Sequence, residues 1–268
     1  MIAILLWELR QRKIAVLFWT LGSVLLSVVI MGLYPSIRDQ AHQFNQVINQ
    51  LPEGLRGLKT GGAGSVDVGD PVEFMNAQIF YATLPILWII LSITRGSSVL
   101  GKDEQNHTLE LLLARPISRT HLLASKALSL FAEFIVVGGV TLIAIIAVAP
   151  AFDLHIGAGK LAMATLYTVL FSLSFGLIAF ALTAATSLAR RVASVAAVFL
   201  SFGSYIIASM SGLTHWLQNP AKLAPFHYFE PTKIMHGEAV TGLNIYLISV
   251  FVFALAVAWL GFRRRDIS

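Results

Sequence analysis

Six stretches of mainly apolar residues alternate along the chain with shorter segments that hold most of its charged side chains. The apolar stretches cover residues 14–33, 74–94, 127–149, 161–189, 192–213 and 243–262. At about 1.5 Å of rise per residue, roughly twenty helical residues cross the hydrocarbon core of a bilayer, which is about 30 Å thick. The pattern therefore predicts an all-α integral membrane protein with six transmembrane helices.

The composition agrees with a membrane protein. Of the 268 residues, 56% are hydrophobic and only 12% are charged, whereas about 25% are charged in an ordinary soluble domain. We predict one transmembrane domain over residues 1–268. The first apolar stretch is longer than the apolar core of a secretion signal and is followed by no small-residue cleavage site, so we expect it to stay in the mature protein. The chain has no cysteine, which excludes disulfides and cysteine-ligated zinc.

The basic residues divide unequally between the two sides of the predicted bundle. With both termini on one side, the segments on that side hold 13 Lys and Arg residues and the opposite segments hold six. Basic residues near span ends are retained in the cytoplasm, so we expect a multi-pass protein of the cell membrane with both termini cytoplasmic. The net charge of +5 then lies mostly at membrane edges and does not indicate nucleic-acid binding.

Two outer segments are long. Residues 34–73 contain "GLRGLKTGGAGSVDVGD", whose glycines predict a flexible loop. This loop lacks the G-x-x-x-x-G-K-[ST] spacing of a phosphate-binding loop, so we do not expect nucleotide binding there. Residues 211–242 mix prolines with Trp216, Phe226, Tyr228 and Phe229. Such rings favour the membrane interface, and they predict short interfacial or re-entrant helices before the sixth span.

The segment "GKDEQNHTLELLLARPISRTHLLASKA", residues 101–127, is charged although it lies between two apolar stretches. Leu109, Leu112 and Leu113 recur at helical spacing, and Pro116 ends the pattern. The segment thus predicts a short amphipathic helix at the cytoplasmic face, lying on lipid or presenting its polar side to a partner. A solvated loop that only fixes the topology is the alternative.

Part of this segment, "GKDEQNHTLELLLARPISR" followed by Lys126, resembles the cytoplasmic segment of the ATP-binding-cassette (ABC) type-2 permease family. The basic "WELRQRK" before the first span and "LAPFHYFEPTKIMHG" before the last are also similar to that family. The resemblance implies an N-terminal amphipathic interface helix. It also implies that residues 104–119 are a cytoplasmic coupling helix between spans two and three, which docks into a separate ATPase chain.

Further properties follow from the resemblance alone. The chain would be the permease subunit of an ABC transporter that exports an amphipathic or hydrophobic substrate, working as a homodimer or with a related permease. ATP and Mg²⁺ would bind the partner ATPase, because this sequence has no Walker motif; we expect no catalytic residue, cofactor or metal in this chain. The residues that would contact the ATPase are Glu8, Arg10, Arg12, Glu104, Thr108, Leu109, Glu110, Leu112, Arg115, Pro116 and Arg119.

Four residues inside the spans are candidates for a transport path: Glu133, Ser172, Ser201 and Tyr205. Glu133 is the only carboxylate well inside a span, where charges are rare and often functional. An ion pair with Lys126, seven residues earlier on the same helix face, is the alternative. The hydroxyl residues can equally serve helix packing. Arg95, at the end of span two, is expected to extend its charge towards water.

Two other classes of function stay open. A self-contained ion-coupled carrier or channel would use charged groups near the membrane centre, where Glu133 stands alone. An intramembrane enzyme is disfavoured because the sequence has no H-E-x-x-H or G-x-S-x-G motif. A metal site in the last outer segment is disfavoured too, because the spacing of His215, His227 and His236 matches no tight ligand motif.

Overall fold

The structure is a computed structural model that describes residues 2–50, 67–105, 118–186, 190–211 and 215–264. These residues form eleven α-helices, a π-helix and a 3-10 helix, with no strand among them. The helices are α1 (Ile2–Asp39), α2 (Ala41–Gln50), α3 (Pro71–Met75), the π-helix (Asn76–Thr83), α4 (Leu84–Gln105), α5 (Arg119–Val148), the 3-10 helix (Ala149–Phe152), α6 (Ala158–Ala185), α7 (Arg190–Met210), α8 (His215–Ala221), α9 (Pro225–Tyr228), α10 (Pro231–His236) and α11 (Thr241–Arg264).

Six helical segments of the described chain are long and apolar enough to cross a membrane. They are Trp7–Asp39, Pro71–Gln105, Arg119–Phe152, Ala158–Ala185, Arg191–Met210 and Thr241–Arg264, called here the first to sixth spans. The predicted all-α membrane fold is therefore confirmed. The last residues of the predicted fourth span, 187–189, and of the predicted fifth span, 212–213, lie outside the described residues. Most of the predicted coupling helix, residues 106–117, lies outside the described residues as well.

The bundle has two ends that are named here by the chain termini. The terminal end is where α1 begins and α11 ends, and the far end is the opposite one. At the terminal end, Arg119 Nη1 donates to the carbonyl of Phe262 at 3.3 Å. At the far end, Arg38 pairs with Asp153 at 3.0 Å. The first bond joins the third and sixth spans, and the second joins the first span to the residue after the third, as expected for six helices that run in alternating directions.

The basic N-terminal segment is part of a longer helix. Residues 2–39 form α1 without interruption, so the predicted interface helix is the first few turns of the first span and not a separate element. An uninterrupted helix joins the charged residues near the N-terminus directly to the apolar part of the span.

The second span changes its winding near the far end. Residues Asn76–Thr83 form a π-helix, and Pro85 follows in the first turn of α4. Proline has no N–H and its ring clashes with the carbonyl four residues earlier, so regular α-helical winding cannot continue through Pro85. The wider π turn accommodates this defect. The altered winding thus lies directly before this proline.

The second and fourth spans lie at the centre of the bundle, where most of their residues are buried. They approach closely because both carry glycine where they cross. A Cβ added at Gly96 would lie 2.0 Å from the carbonyl oxygen of Gly176. The fourth span also meets the sixth closely, since a Cβ at Gly261 would lie 2.4 Å from the Cα of Ala185. Small residues that let backbones approach are the usual means of packing helices in a membrane.

Three short helices, α8 to α10, precede the sixth span at the far end, as the sequence predicted. Phe226 of α9 and Phe229, just after it, are buried. The ring of Phe229 stacks on Phe171 of α6 with centroids 4.2 Å apart. The connection is therefore anchored into the bundle by aromatic side chains.

Candidate coupling site

Six charged side chains from the first three spans meet near the terminal end, and they are called here the charge network. Three are acidic and three are basic: Glu8, Arg12, Arg95, Asp103, Lys126 and Glu133. Glu8 and Arg12 belong to α1, Arg95 and Asp103 to α4, and the other two to α5. The network therefore ties together three helices.

Arg95 lies at the centre of the network and is only 3% exposed. Its Nη2 atom donates to Glu8 Oε2 at 2.9 Å and to the hydroxyl of Ser129 at 3.2 Å. Its Nε atom lies 2.8 Å from Glu133 Oε2. The forked guanidinium therefore contacts α1 and α5 at once, which a lysine ammonium could not do with the same fixed geometry.

Lys126 makes the second set of ion pairs. Its side chain is fully buried, and its Nζ atom pairs with Glu8 Oε1 and with Asp103 Oδ2. Glu8 thus accepts from Lys126 through one oxygen and from Arg95 through the other. Asp103 lies two residues before the end of α4, so this pair joins the last turn of the second span to the first and third spans.

Glu133 is paired, but its partners differ from the predicted one. Lys126 is directed to Glu8 and Asp103, while Glu133 pairs with Arg95 and, at 3.8 Å, with Arg12 Nε. The expected exposure of Arg95 is wrong as well, since its side chain is buried. Contacts between helices have overridden the pairing that spacing within α5 suggested.

The charges of the network balance. Isolated buried charges are costly, whereas a buried charge next to an opposite one recovers part of its desolvation through their attraction. Removing one partner would leave its counterpart buried and uncompensated, which typically costs about 3–5 kcal/mol. The network therefore holds the three helices in one arrangement that tolerates few alternatives.

The residues predicted to contact an ATPase divide into three groups. Glu8 is buried within this chain, whereas Arg10 is exposed and Arg12, Glu104 and Arg119 are partly exposed. The others lie outside the described residues: Thr108, Leu109, Glu110, Leu112, Arg115 and Pro116. The ATPase contacts stay predictions, and the position of Glu8 favours an indirect role through Arg95 and Lys126.

The predicted path residues do not form one site. Ser201 and Tyr205 of α7 line an almost wholly apolar cavity of about 190 Å³, together with isoleucines of the second span and Phe226. Ser172 of α6 is fully buried and does not line it. Glu133 belongs to the charge network near the opposite end. Their role in transport stays a prediction.

His236 of the last outer segment makes an ordinary polar contact. His236 Nε2 is 3.5 Å from Glu73 Oε1, and Lys233 pairs with Glu230 at 2.5 Å. The carboxylate of Glu230 raises the pKa of Lys233 above its ordinary value, chiefly through the hydrogen bond that the ammonium donates. Within the described part of the chain, no three His, Asp or Glu side chains come together as a metal ligand set.

A comparison with protein families agrees with this architecture. A family model described as ABC-2 family transporter protein matches residues 2–266. The chain belongs to this family. An ABC-2 family protein is a multi-pass permease subunit of an ABC transporter, and such permeases work with an ATP-binding-cassette ATPase. A search of curated proteins gave no match.

Sequence reasoning identified Glu133 and Lys126 in this ABC-2 protein but missed how the network is assembled. Arg95 and Asp103 were assigned to a span end and to the cytoplasmic segment, and Glu8 to a partner contact. One signal was present: acidic as well as basic residues occur in and beside the first three spans, towards the terminal end of each. Their nearness suggests pairing, yet it does not say which acid meets which base.

Proposed function

We propose that this chain is the permease subunit of an ATP-driven exporter of an amphipathic or hydrophobic substrate. A separate ATPase chain docks on residues 104–119 and supplies the energy, with ATP and Mg²⁺ bound to that partner. The terminal end faces the cytoplasm, as the basic residues favour. The observation that carries this proposal is the charge network, which directly flanks the proposed docking segment.

The network offers a physical path from that segment to the spans. Asp103 precedes the segment and Lys126 follows it, and these residues pair with each other. A displacement of the segment therefore acts on the second and third spans together, and the pair between Lys126 and Glu8 extends this connection to α1. Buried ion pairs resist stretching because their energy depends steeply on distance at low dielectric. They suit the transmission of a movement better than water-exposed loops would.

The same network argues against a self-contained ion-coupled carrier. The carboxylate of such a carrier must bind and release an ion or proton during each cycle. Glu133 is already compensated by Arg95 at 2.8 Å and approached by Arg12 at 3.8 Å. If Glu133 left these contacts during a transport cycle, the guanidinium groups of Arg95 and Arg12 would stay in the bundle without its negative charge.

An apolar route fits the cavity next to α7. Nearly all of its surface is apolar, and Ser201 and Tyr205 are among the residues that line it. A site of this kind would accept the apolar part of a hydrophobic or amphipathic molecule. We further propose that a second permease chain, identical or related, completes the route.

The test begins with purification of the tagged chain from its native membrane in mild detergent. We expect a P-loop ATPase to co-purify, with vanadate-sensitive activity and two permease chains per complex. Recovery of the chain alone, without ATPase activity, would overturn the proposal.

Charge reversal then tests the docking segment. Glu104→Arg and Arg115→Glu should lower the ATPase activity or the recovery of the ATPase subunit, while the permease stays folded. The matched control is Lys160→Glu, which reverses an exposed charge at the far end and should change neither. Equal behaviour of the three variants would count against docking at residues 104–119.

A further inference from the structure

A groove runs along the side of the bundle between the first and second spans. Its volume is about 260 Å³, and its lining is almost wholly apolar: Phe18, Trp19, Gly22, Ser23, Leu26 and Leu87. The Ser23 hydroxyl is not available to a ligand as a donor, because it donates to the carbonyl of Trp19 and accepts from Trp88 Nε1 at 3.0 Å. The groove thus offers an apolar surface with no polar group that needs a partner.

The groove is open towards the bilayer. Phe18 is 68% exposed and Leu26 is 40% exposed, although both lie in a segment that crosses the membrane. Gly22 forms part of its floor, and a Cβ added there would have no atom within 4 Å. Because the groove opens on the side of a membrane-spanning segment, an occupant enters it from within the bilayer and not from water.

A cation lies in line with this groove on the same face of α1. Arg12 precedes Trp19 by seven residues and Ser23 by eleven, spacings that return to one side of a helix. At 1.5 Å per residue, Arg12 lies about 10 Å from Trp19 along the axis, towards the terminal end. The first apolar stretch begins at residue 14, so Arg12 is at the level where lipid headgroups start.

Arg12 is also the member of the charge network that is most accessible. Its side chain is 23% exposed, against 15% or less for the other five. Its Nη1 donates to Ser98 at 3.4 Å, and its Nε lies 3.8 Å from Glu133. With 23% of its side chain exposed, Arg12 can also donate to an anion at the surface.

We propose that this groove binds one acyl chain of an anionic phospholipid whose phosphate is held by Arg12. The apolar lining accepts the chain, and the distance from Arg12 to the groove places the headgroup at the membrane edge. Since Arg12 also approaches Glu133, the bound lipid contacts the charge network directly. The identity of the exported substrate does not enter this inference.

The test uses the full chain, with any ATPase subunit that co-purifies, in vesicles of phosphatidylcholine that contain a minority of phosphatidylglycerol. The probe is phosphatidylglycerol with a diazirine in one acyl chain, and labelled peptides are identified by mass spectrometry after irradiation. We expect labelling concentrated on residues 18–26 and around Leu87. Equal labelling of all outward-facing spans would mean bulk lipid only and would overturn the proposal.

Gly22→Leu fills the groove and tests the acyl-chain site. The control is Gly139→Leu on α5, which also has open space around its added Cβ but lies outside the groove. Gly22→Leu should abolish labelling of residues 18–26, whereas Gly139→Leu should leave it unchanged. Intrinsic tryptophan fluorescence checks that both variants are folded. Persistent labelling in the folded Gly22→Leu variant would contradict the site.

Arg12→Gln tests the headgroup contact, with Lys13→Gln as the control that removes an exposed neighbouring cation. Groove labelling by the phosphatidylglycerol probe should fall about five-fold in Arg12→Gln, as expected for loss of one favourable charge near an anionic surface. Labelling by the matching phosphatidylcholine probe should be insensitive to both changes. Equal effects of the two substitutions would overturn the assignment of Arg12.

Discussion

The two ends of the bundle are held together by different kinds of contact. At the terminal end, six charged side chains join the first three spans, and Arg95 reaches Glu8 at 2.9 Å and Glu133 at 2.8 Å. From the middle of the fourth span towards the far end, aromatic rings join this span to the last outer segment, with Phe171 and Phe226 centred 4.8 Å apart. Paired charges hold the helices together at one end, and buried apolar surface holds them together at the other.

This difference has mechanical consequences. Ion pairs buried at low dielectric lose energy steeply when they are stretched, and each partner left alone carries a large penalty. Aromatic contacts are individually weak and permit several ring arrangements, so they can rearrange with less loss. The terminal end is therefore expected to move as one unit, and the contacts at the far end are expected to rearrange more easily.

The largest expected effect is at the centre of the charge network. Glu133→Leu should lower the free energy of unfolding by about 3–5 kcal/mol, because it leaves Arg95 buried without this carboxylate. Unfolding in mixed micelles of detergent and SDS measures the change. Adding Arg95→Met in the same chain should restore part of the stability, since the two residues are coupled.

The control for this substitution is Glu238→Leu, which removes an exposed carboxylate near the far end. It should change the free energy of unfolding by no more than about 0.5 kcal/mol. If Glu133→Leu were no more harmful than this control, the network would not hold the helices as described.

A smaller effect is expected where the two central spans cross, beside the network. Gly96→Ala introduces a methyl group 2.0 Å from the carbonyl oxygen of Gly176, so the helices must separate. The expected loss is about 1–3 kcal/mol, typical of overpacking. Gly203→Ala is the control, because its Cβ meets no atom within 4 Å. Equal thermal stability of the two variants would contradict the close crossing.

Substitutions that keep an apolar side chain among the aromatic rings should lower the free energy of unfolding less. Phe171→Leu keeps an apolar side chain where the rings of Phe226 and Phe229 pack, so we expect a loss below about 1.5 kcal/mol. The SDS titration used for Glu133→Leu gives this value. A loss from Phe171→Leu as large as that from Glu133→Leu would remove the contrast between the two ends.

The smallest expected effect is the pH dependence of the stability that Asp67 contributes at the far end. Asp67 accepts a hydrogen bond from Asn45 Nδ2 at 2.7 Å and another from the Gly69 amide at 2.9 Å. These bonds favour the charged carboxylate and lower the pKa of Asp67. A lowered folded-state pKa contributes stability that is present above the unfolded pKa and is lost as the pH falls through the folded value.

The Tm difference between the wild-type chain and Asp67→Asn measures this contribution. It should be small, because Asp67 is exposed, and it should shrink as the pH is lowered into the acidic range. A difference that grows on acidification would contradict the sign.

The sequence by itself determined the membrane fold and the family. Six apolar stretches, their separation by basic segments and the order "NHTLELLLARPISR" were sufficient, because the requirement to satisfy backbone groups in lipid allows few alternatives to helices. The short helices before the sixth span were predictable too, since prolines and aromatic residues stand close together there. These properties depend on residues that are near one another in the chain.

Only the tertiary structure decided which charges meet. Spacing along α5 favoured a pair between Lys126 and Glu133, yet Lys126 meets Glu8 and Asp103, and Glu133 meets Arg95. The close crossing at Gly96 and Gly176 was equally hidden, because a glycine in a span gives no sign of which helix approaches it. The physical reason is common to both: the partners are separated by tens of residues or more, and the relative positions of whole helices determine the contact.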